Sequence, residues 1–464
     1  MYQIDFQNPV SIHMIGIGGI SMSGLAEILL EEHFPVSGSD AKESALTRKL
    51  TSMGARIFYG QSASNIKDDV QLVVYTAAIH PDNPELTEAM RRSLPCLTRA
   101  QLLGQIMANY RNSIGVSGTH GKTTTTSMIT QILLEEHADP TVSVGGILPS
   151  IDGNIRVGKS DVFLTEACEY TNSFLEFHPR YALILNIEED HLDFFKDLED
   201  IRHSFREFAH KTPADGGVII NGDIPNYKEI TDGIPGRVIT YDLSDTSDYY
   251  ASDISLPMTE GNDTAFSTFS LMHKGEVLGT IRLRVPGLHN ISNAVAAAAL
   301  ALELGISLSG IQKALSDFSG TERRFEIKGH LGGITIVDDY AHHPTEISAT
   351  LRAAKTYPHS RIICVFQPHT YSRTKAFLAD FAKALSAADL VVLADIYAAR
   401  ETDTLGISSK DLMQEIRKYS TECYYFPSFD EIENFLLKNC MNGDLLITMG
   451  AGDILQVGEH LLGL

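Results

Sequence analysis

Residues 115–124 read Gly-Val-Ser-Gly-Thr-His-Gly-Lys-Thr-Thr, and no other stretch so narrows what the chain can fold into. An apolar run at 114–116 leads in, and a helix-compatible run with Met128, Ile129, Ile132 and Leu133 leads out. A strand, a glycine turn and a helix in that order make a cradle for phosphate. Gly118 and Gly121 leave backbone N–H groups uncovered, the helix N-terminus adds partial positive charge, and Lys122 adds a full one. The Thr123 hydroxyl is placed for Mg²⁺. The commonest spacing would put its first glycine at Val116, whereas the glycines here are Gly115 and Gly118. The plain alternative is a strand-to-helix turn with a solvated lysine.

The 464 residues exceed what one core organises and suit about three domains. At 43% hydrophobic and 21% charged the composition is globular, and no apolar run is long enough to span a bilayer. The opening Met1-Tyr2-Gln3-Ile4-Asp5 lacks the basic and apolar segments of a secretory leader. Five scattered cysteines (Cys96, Cys168, Cys364, Cys423, Cys440), never spaced C-x-x-C, point to reduced thiols and a cytoplasmic location rather than disulfides or zinc. A net charge of −22 argues against nucleic acid or an acidic membrane as partner. A nucleotide remains open, because a few local cations suffice to bind one.

Strands expected at 11–16, 35–38 and 72–76 alternate with helices at 22–32 and 44–53, the mark of βαβ units on a mostly parallel sheet. A helix at 99–110 leads out of this domain. The second unit begins at the phosphate loop, with strands at 162–165 and 182–186. Residues 212–285 read as an added antiparallel portion, followed by an alanine-rich helix at 293–304. A third α/β unit starts after Gly320, with strands at 334–337, 362–366, 390–394 and 445–449 and helices at 345–356 and 376–386. The fold class is therefore α/β with three domains, divided at 1–108, 109–319 and 320–464.

The segment His13-Met14-Ile15-Gly16-Ile17-Gly18-Gly19-Ile20-Ser21 also follows a strand and opens a helix. It is close to a dinucleotide fingerprint, with Ser21 at the third glycine position and Asp40 placed for a ribose. Alone it would suggest a nicotinamide dehydrogenase. Two phosphate loops in successive domains suggest instead one nucleoside-diphosphate substrate and a separate ATP. Glu166 ends a strand beside the second loop, with Glu169 close behind. Asn186 ends the next strand and is followed by Glu188, Glu189, Asp190, His191 and Asp193. Hard oxygen ligands with one imidazole suit Mg²⁺. Glu166 and His191 lie just past strand ends, where ligands bind such sheets, and Glu188 and Glu189 read as a solvated loop. His289, Asn290 and Asn293 open a helix on one face, and amides there can meet an adenine edge or cap the helix. Arg323-Arg324-Phe325 places arginine at the entrance to the third domain, where it could stabilise a transferring phosphoryl group.

Gly118-Thr119-His120-Gly121-Lys122-Thr123, Glu166-x-x-Glu169, Asn186-x-x-x-Asp190-His191, His289-Asn290-x-x-Asn293 and Arg323-Arg324-Phe325 together resemble the Mur ligases of peptidoglycan synthesis. The likeness runs through essentially the whole chain, in order. It implies a Rossmann-like N-terminal UDP-binding domain, a central P-loop ATPase-type α/β domain and a Rossmann-like C-terminal domain. It implies that Gly118 to Thr124 and Lys122 hold ATP, that Thr123, Glu166 and His289 serve one Mg²⁺ and His191 a second, and that Asn290 and Asn293 meet adenine. Arg323 and Asp339 are then phosphate and ribose contacts. His13, Gly16, Gly18, Gly19, Ser21, Asp40 and Glu169 fall to the UDP-sugar. The motifs Asp338-Asp339-Tyr340-Ala341-His342-His343-Pro344 and Gln367-Pro368-His369-Thr370-Tyr371-Ser372-Arg373 are similar to the member that joins L-alanine to UDP-N-acetylmuramate. Tyr340, His342, His369 and Arg373 would surround the carboxylate and the amino acid. Two departures stand out. The stretch Phe205-Arg206-Glu207-Phe208-Ala209 has no lysine for a carbamate bridge, and Thr370 stands where many such members carry arginine.

The chemistry implied is phosphorylation of a carboxylate by ATP, then attack by the alanine amine, with closure of the third domain delivering Arg323. His342 or His369 would take the amine proton. A monomer or weak homodimer is expected. The competing readings are a recycling ligase that adds a murein peptide to the same UDP-sugar, a nicotinamide dehydrogenase, and a nucleotide-regulated binding protein without catalysis.

Overall fold

The computed structural model describes residues 2–76, 78–256, 266–399 and 401–464. Two compact units divide it, Met1–Tyr241 and Asp242–Leu464.

The first unit opens with a five-stranded parallel sheet in the order Arg56–Tyr59, Val36–Asp40, Ile12–Ile15, Leu72–Tyr75, Cys96–Thr98. Ile12–Ile15 is central and wholly buried, as a strand covered on both faces must be. Helix Ile20–Glu31 follows it directly, so the glycine loop sits at the C-terminal edge of the sheet. The exposed edge strand Arg56–Tyr59 escaped the sequence reading because it lacks a buried apolar face.

The central sheet of this unit runs Arg237–Asp242, Gly217–Asn221, Tyr181–Ile184, Asn112–Ser117, Val162–Glu166, Thr141–Leu148, Gly153–Arg156. All its pairings are parallel except the last, which is a hairpin. The expected antiparallel region at 212–285 needs correction here. Gly217–Asn221 and Arg237–Asp242 join the parallel ladder, because helices Leu198–Ala209 and Tyr227–Thr231 supply the crossovers that parallel pairing requires. A single apolar cluster links Ile12, Leu25 and Ile106 with Phe163, Phe174 and Phe205, so the two sheets of the unit share a core.

In the second unit Tyr249–Ser255, Ser267–His273 and Glu276–Leu283 form the antiparallel meander that was expected. Residues 257–265 of that stretch lie outside the described residues. Helix Leu288–Glu303 follows, buried along nearly all of its length by small alanine side chains. The third sheet is ordered Glu326–Leu331, Ile334–Asp339, Leu445–Met449, Ile362–Phe366, Leu390–Leu393, Glu422–Tyr425. Only its first pair is antiparallel.

Candidate active site

In the central sheet, register sets the site. Val116 pairs with Glu166 and Ser117 with Ile184, so the loop after Ser117 emerges between Glu166 and Asn186. Gly118 has φ +147° and Gly121 φ +83°, conformations that side chains resist. A Cβ on Gly118 would lie 2.9 Å from Leu185 Cβ and 3.2 Å from the Asn186 nitrogen. Helix Lys122–Glu135 begins on Gly121 with neither a capping side chain nor an acid in its first turn, so its end N–H groups stay open to an anion. Asn186 braces the loop from below. Its Oδ1 accepts the His120 N–H at 2.7 Å and its Nδ2 donates to the His120 carbonyl at 3.0 Å. Thr119 Oγ1 accepts the Glu188 N–H at 2.9 Å. Thr119 and His120 are thus held by the loop's own frame.

Lys122 Nζ donates to Glu169 Oε2 at 2.9 Å and to the Gly118 carbonyl. Burial works against its charge, but the Glu169 carboxylate outweighs it and lifts the pKa above the usual lysine value. Thr123 Oγ1 donates to Glu166 Oε2 at 3.1 Å, and Glu166 Oε1 accepts the Gly145 N–H at 2.5 Å. A hydroxyl and a carboxylate held this close form a donor set suited to a small hard cation. His191, at φ +53°, brings Nε2 to 3.9 Å from Glu169 Oε1 and packs its ring on Tyr170 with centroids 4.5 Å apart. Lys122, Thr123, Glu166, Glu169 and His191 therefore converge on one strand edge.

In the first sheet Gly16 takes φ +81°, and a Cβ there would lie 2.8 Å from Thr76 Cγ2. Asp40 Oδ2 accepts the Gly18 N–H at 2.8 Å, so the acid expected at a ribose also tethers the glycine loop. His13, expected at the UDP-sugar, lies beneath the glycine loop. It is fully buried, with Nδ1 2.9 Å from Ser37 Oγ and Nε2 3.1 Å from the equally buried Glu85. Both ring nitrogens are engaged, so it supports the sheet beneath the loop.

In the second unit the residues after Ile334–Asp339 and Ile362–Phe366 gather at the C-terminal edge of the third sheet. The ring of His342 lies edge-on to His369 at 5.6 Å, His369 stacks on Tyr397 at 5.7 Å, and Arg373 Nη1 is 3.4 Å from His369 Nδ1. Tyr340 lies edge-on to His342 at 5.4 Å. Tyr397 had no signal in sequence, because only the bridge between His369 and Tyr397 brings it there.

Arg323 and Asp339, expected at phosphate and ribose, are hydrogen-bonded within their own unit. Arg323 donates to Asp338 at 2.8 Å, to the Gly450 carbonyl at 2.7 Å and to the Gly452 carbonyl at 3.1 Å, and lies over the Tyr340 ring. Asp339 accepts the Ala341 and Phe325 N–H groups, and burial raises its pKa to about 6 against the pull of Arg324. Both tie the domain's loops together. Asn290 Nδ2 donates to the Pro286 carbonyl at 2.7 Å and Asn293 Nδ2 to Asn290 Oδ1 at 3.4 Å, so these amides brace the helix start. His289 sits in the same turn. Desolvation, then the Arg352 and Arg324 guanidiniums, hold its pKa down to about 4. It is neutral at pH 7, as a metal ligand must be, yet those guanidiniums oppose a cation.

Comparison with known proteins agrees with this layout. The Mur ligase family catalytic-domain model matches residues 11–111, the Mur ligase middle-domain model 116–301, and the Mur ligase glutamate ligase domain model 323–452. A UDP-N-acetylmuramate–L-alanine ligase of Agathobacter rectalis is 60% identical over 462 residues, covering 100% of both chains. The crystal structure of a UDP-N-acetylmuramate–alanine ligase from Thermotoga maritima superposes with TM-score 0.78 at 30% identity over 98% of each chain. A murein peptide ligase from Psychrobacter arcticus shares the fold, with TM-score 0.68 at 24% identity over 98% of each chain. The chain belongs to the Mur ligase family.

Proposed function

We infer that the chain joins L-alanine to the lactoyl carboxylate of UDP-N-acetylmuramate at the expense of ATP, giving UDP-N-acetylmuramoyl-L-alanine, ADP and phosphate for peptidoglycan synthesis. The observation that carries this reading is the 60% identity, end to end, with a UDP-N-acetylmuramate–L-alanine ligase. The murein peptide alternative is not favoured, since its relative shares the fold at 24% identity.

A carboxylate oxygen attacks the γ-phosphorus and ADP departs, leaving an acyl phosphate. The alanine amine then attacks the acyl carbon, loses a proton, and phosphate departs. The first step brings two anions together. A unit pair at 4 Å repels by about 4 kcal/mol at an effective dielectric near 20. Lys122 and the open N–H groups of helix Lys122–Glu135 answer that charge. Thr123 and Glu166 are the residues that would hold Mg²⁺, with Glu169 and His191 as a second set. Bound there, Mg²⁺ supplies Lewis-acid stabilisation of the transferring phosphoryl group. Gly16, Gly18, Gly19 and Ser21 take the UDP-sugar diphosphate. Arg373 takes the amino-acid carboxylate, and His342 or His369 the amine proton. Domain junctions near 108 and 319, and a monomer or weak homodimer, complete the reading.

Phosphate release measured over a panel of amino acids tests it. Release that requires UDP-N-acetylmuramate and is fastest with L-alanine is expected. Faster release with L-Ala-γ-D-Glu-meso-diaminopimelate would replace this reading with the recycling ligase.

A further inference from the structure

Two histidines of the second unit are placed to take the amine proton, and the groups beside their rings differ in kind. His342 Nδ1 lies 3.0 Å from the Tyr340 carbonyl and 3.3 Å from Glu346 Oε2. Both neighbours are acceptors, so Nδ1 carries the ring proton and the lone pair falls to Nε2. His369 is set the opposite way. Its Nδ1 faces Arg373 Nη1 at 3.4 Å, and a guanidinium has no lone pair to offer. The His369 lone pair is therefore at Nδ1, spent on Arg373, and its proton is at Nε2. A second proton on His369 would also stand beside the Arg373 charge.

Glu346 favours a charge on His342. It stands in the first turn of helix Pro344–Ala354, where the helix dipole supports a carboxylate. Arg324 Nη1 is 3.8 Å from its Oε1. Its Oε2 accepts the His342 N–H at 3.0 Å, so the backbone and the ring of His342 meet the same oxygen. The Glu346 side chain is 12% exposed and that of His342 20%, so water screens the pair weakly. We propose that Glu346 is a positioning residue: it fixes the His342 ring and makes His342 Nε2, rather than either nitrogen of His369, the acceptor of the amine proton. The amine nitrogen bonds the acyl carbon, its proton passes to His342 Nε2, and the bond from the acyl carbon to oxygen breaks with its electron pair leaving on phosphate. The imidazolium so formed keeps its Nδ1–H toward the Glu346 carboxylate. This assignment rests on the reading of the chain as an alanine-adding ligase.

Glu346 also braces the start of its helix, so the test separates that bond from the charge. Phosphate release with UDP-N-acetylmuramate, ATP and L-alanine is measured for the wild type, Glu346→Gln, His342→Ala and His369→Ala, together with melting temperatures. Glu346→Gln keeps an acceptor for the His342 N–H and so holds its melting temperature, but loses the charge. Its kcat falls about tenfold or more while KM for ATP stays. His342→Ala lowers kcat by about a hundredfold or more, and added imidazole restores part of it. His369→Ala acts mainly on KM for L-alanine and gains nothing from imidazole. If His342→Ala fails to fold, the split in Glu346→Gln stays readable by itself. A Glu346→Gln chain with wild-type kcat, or one whose kcat falls only in step with its melting temperature, would overturn the proposal, as would imidazole rescue of His369→Ala alone. A wild-type chain that releases no phosphate with L-alanine would instead overturn the underlying reading of the activity.

Discussion

Lys122 and Glu169 form a nearly buried ion pair, with side-chain exposures of 16% and 3%. Removing one partner of such a pair strands the other, which costs about 3–5 kcal/mol. Lys122→Met is therefore expected to lower stability in denaturant melts, and Lys122→Met/Glu169→Gln to recover most of the loss. Both variants lose phosphate release by at least about a hundredfold while still binding UDP-N-acetylmuramate in calorimetry. Asp339 carries the opposite signature. Burial raises its folded pKa to about 6, above the unfolded value near 3.9, so the folded state binds the proton more tightly. Its contribution is complete below about pH 4 and is lost as pH rises through 6. Relative to Asp339→Asn, which does not titrate, the wild type should lose about 2 kcal/mol between pH 4 and pH 7.5. Guanidinium melts at the two pH values check this, and a wild type that gains stability over Asp339→Asn as pH rises would contradict it. Residues like these mark the limit of sequence reading. Lys122, Thr123 and Glu166 were legible because glycines, a lysine and a strand-end acid follow one another locally. The pairing of His13 with Glu85 was not legible, because Glu85 lies far along the chain and only the folded sheet brings them together.

At the scale of elements, helix Tyr371–Ala376 starts under strain. Its N-cap Thr370 has φ +65° and ψ 146°, a region that glycine tolerates and a β-branched residue does not. The Thr370 N–H donates to the Tyr397 carbonyl and its Oγ1 accepts the Arg373 N–H, so the strained residue sets His369 and Arg373 against Tyr397. Relief of strain is worth about 1–3 kcal/mol, while a Thr-to-Gly cap loses only a few tenths. Thr370→Gly should therefore raise the melting temperature and, by loosening the cluster, raise KM for L-alanine. A lowered melting temperature would show that Thr370 is not strained. Most elements with an apolar period were legible, including the strands Ile362–Phe366 and Leu445–Met449. The hairpin Thr141–Leu148 and Gly153–Arg156 was not, since its partly exposed residues carry no alternation.

The whole molecule carries 59 acidic against 37 basic residues, yet its reaction brings an anionic sugar nucleotide up against a triphosphate. Positive charge must be local, and Lys122 is already matched by Glu169. Excess chelator should therefore suppress phosphate release by at least about a hundredfold and leave UDP binding in the first domain intact. Turnover that survives chelation would remove Mg²⁺ from the mechanism. The order of strands in the third sheet also bears on how the protein is made. Leu445–Met449 lies between Ile334–Asp339 and Ile362–Phe366, although it is synthesised long after both. Until it leaves the ribosome, its two neighbours present unpaired apolar edges of the kind that chaperones cover. By then the first sheet has long emerged, so a nascent chain paused before Leu445 is an enzyme whose last sheet still waits for its middle strand.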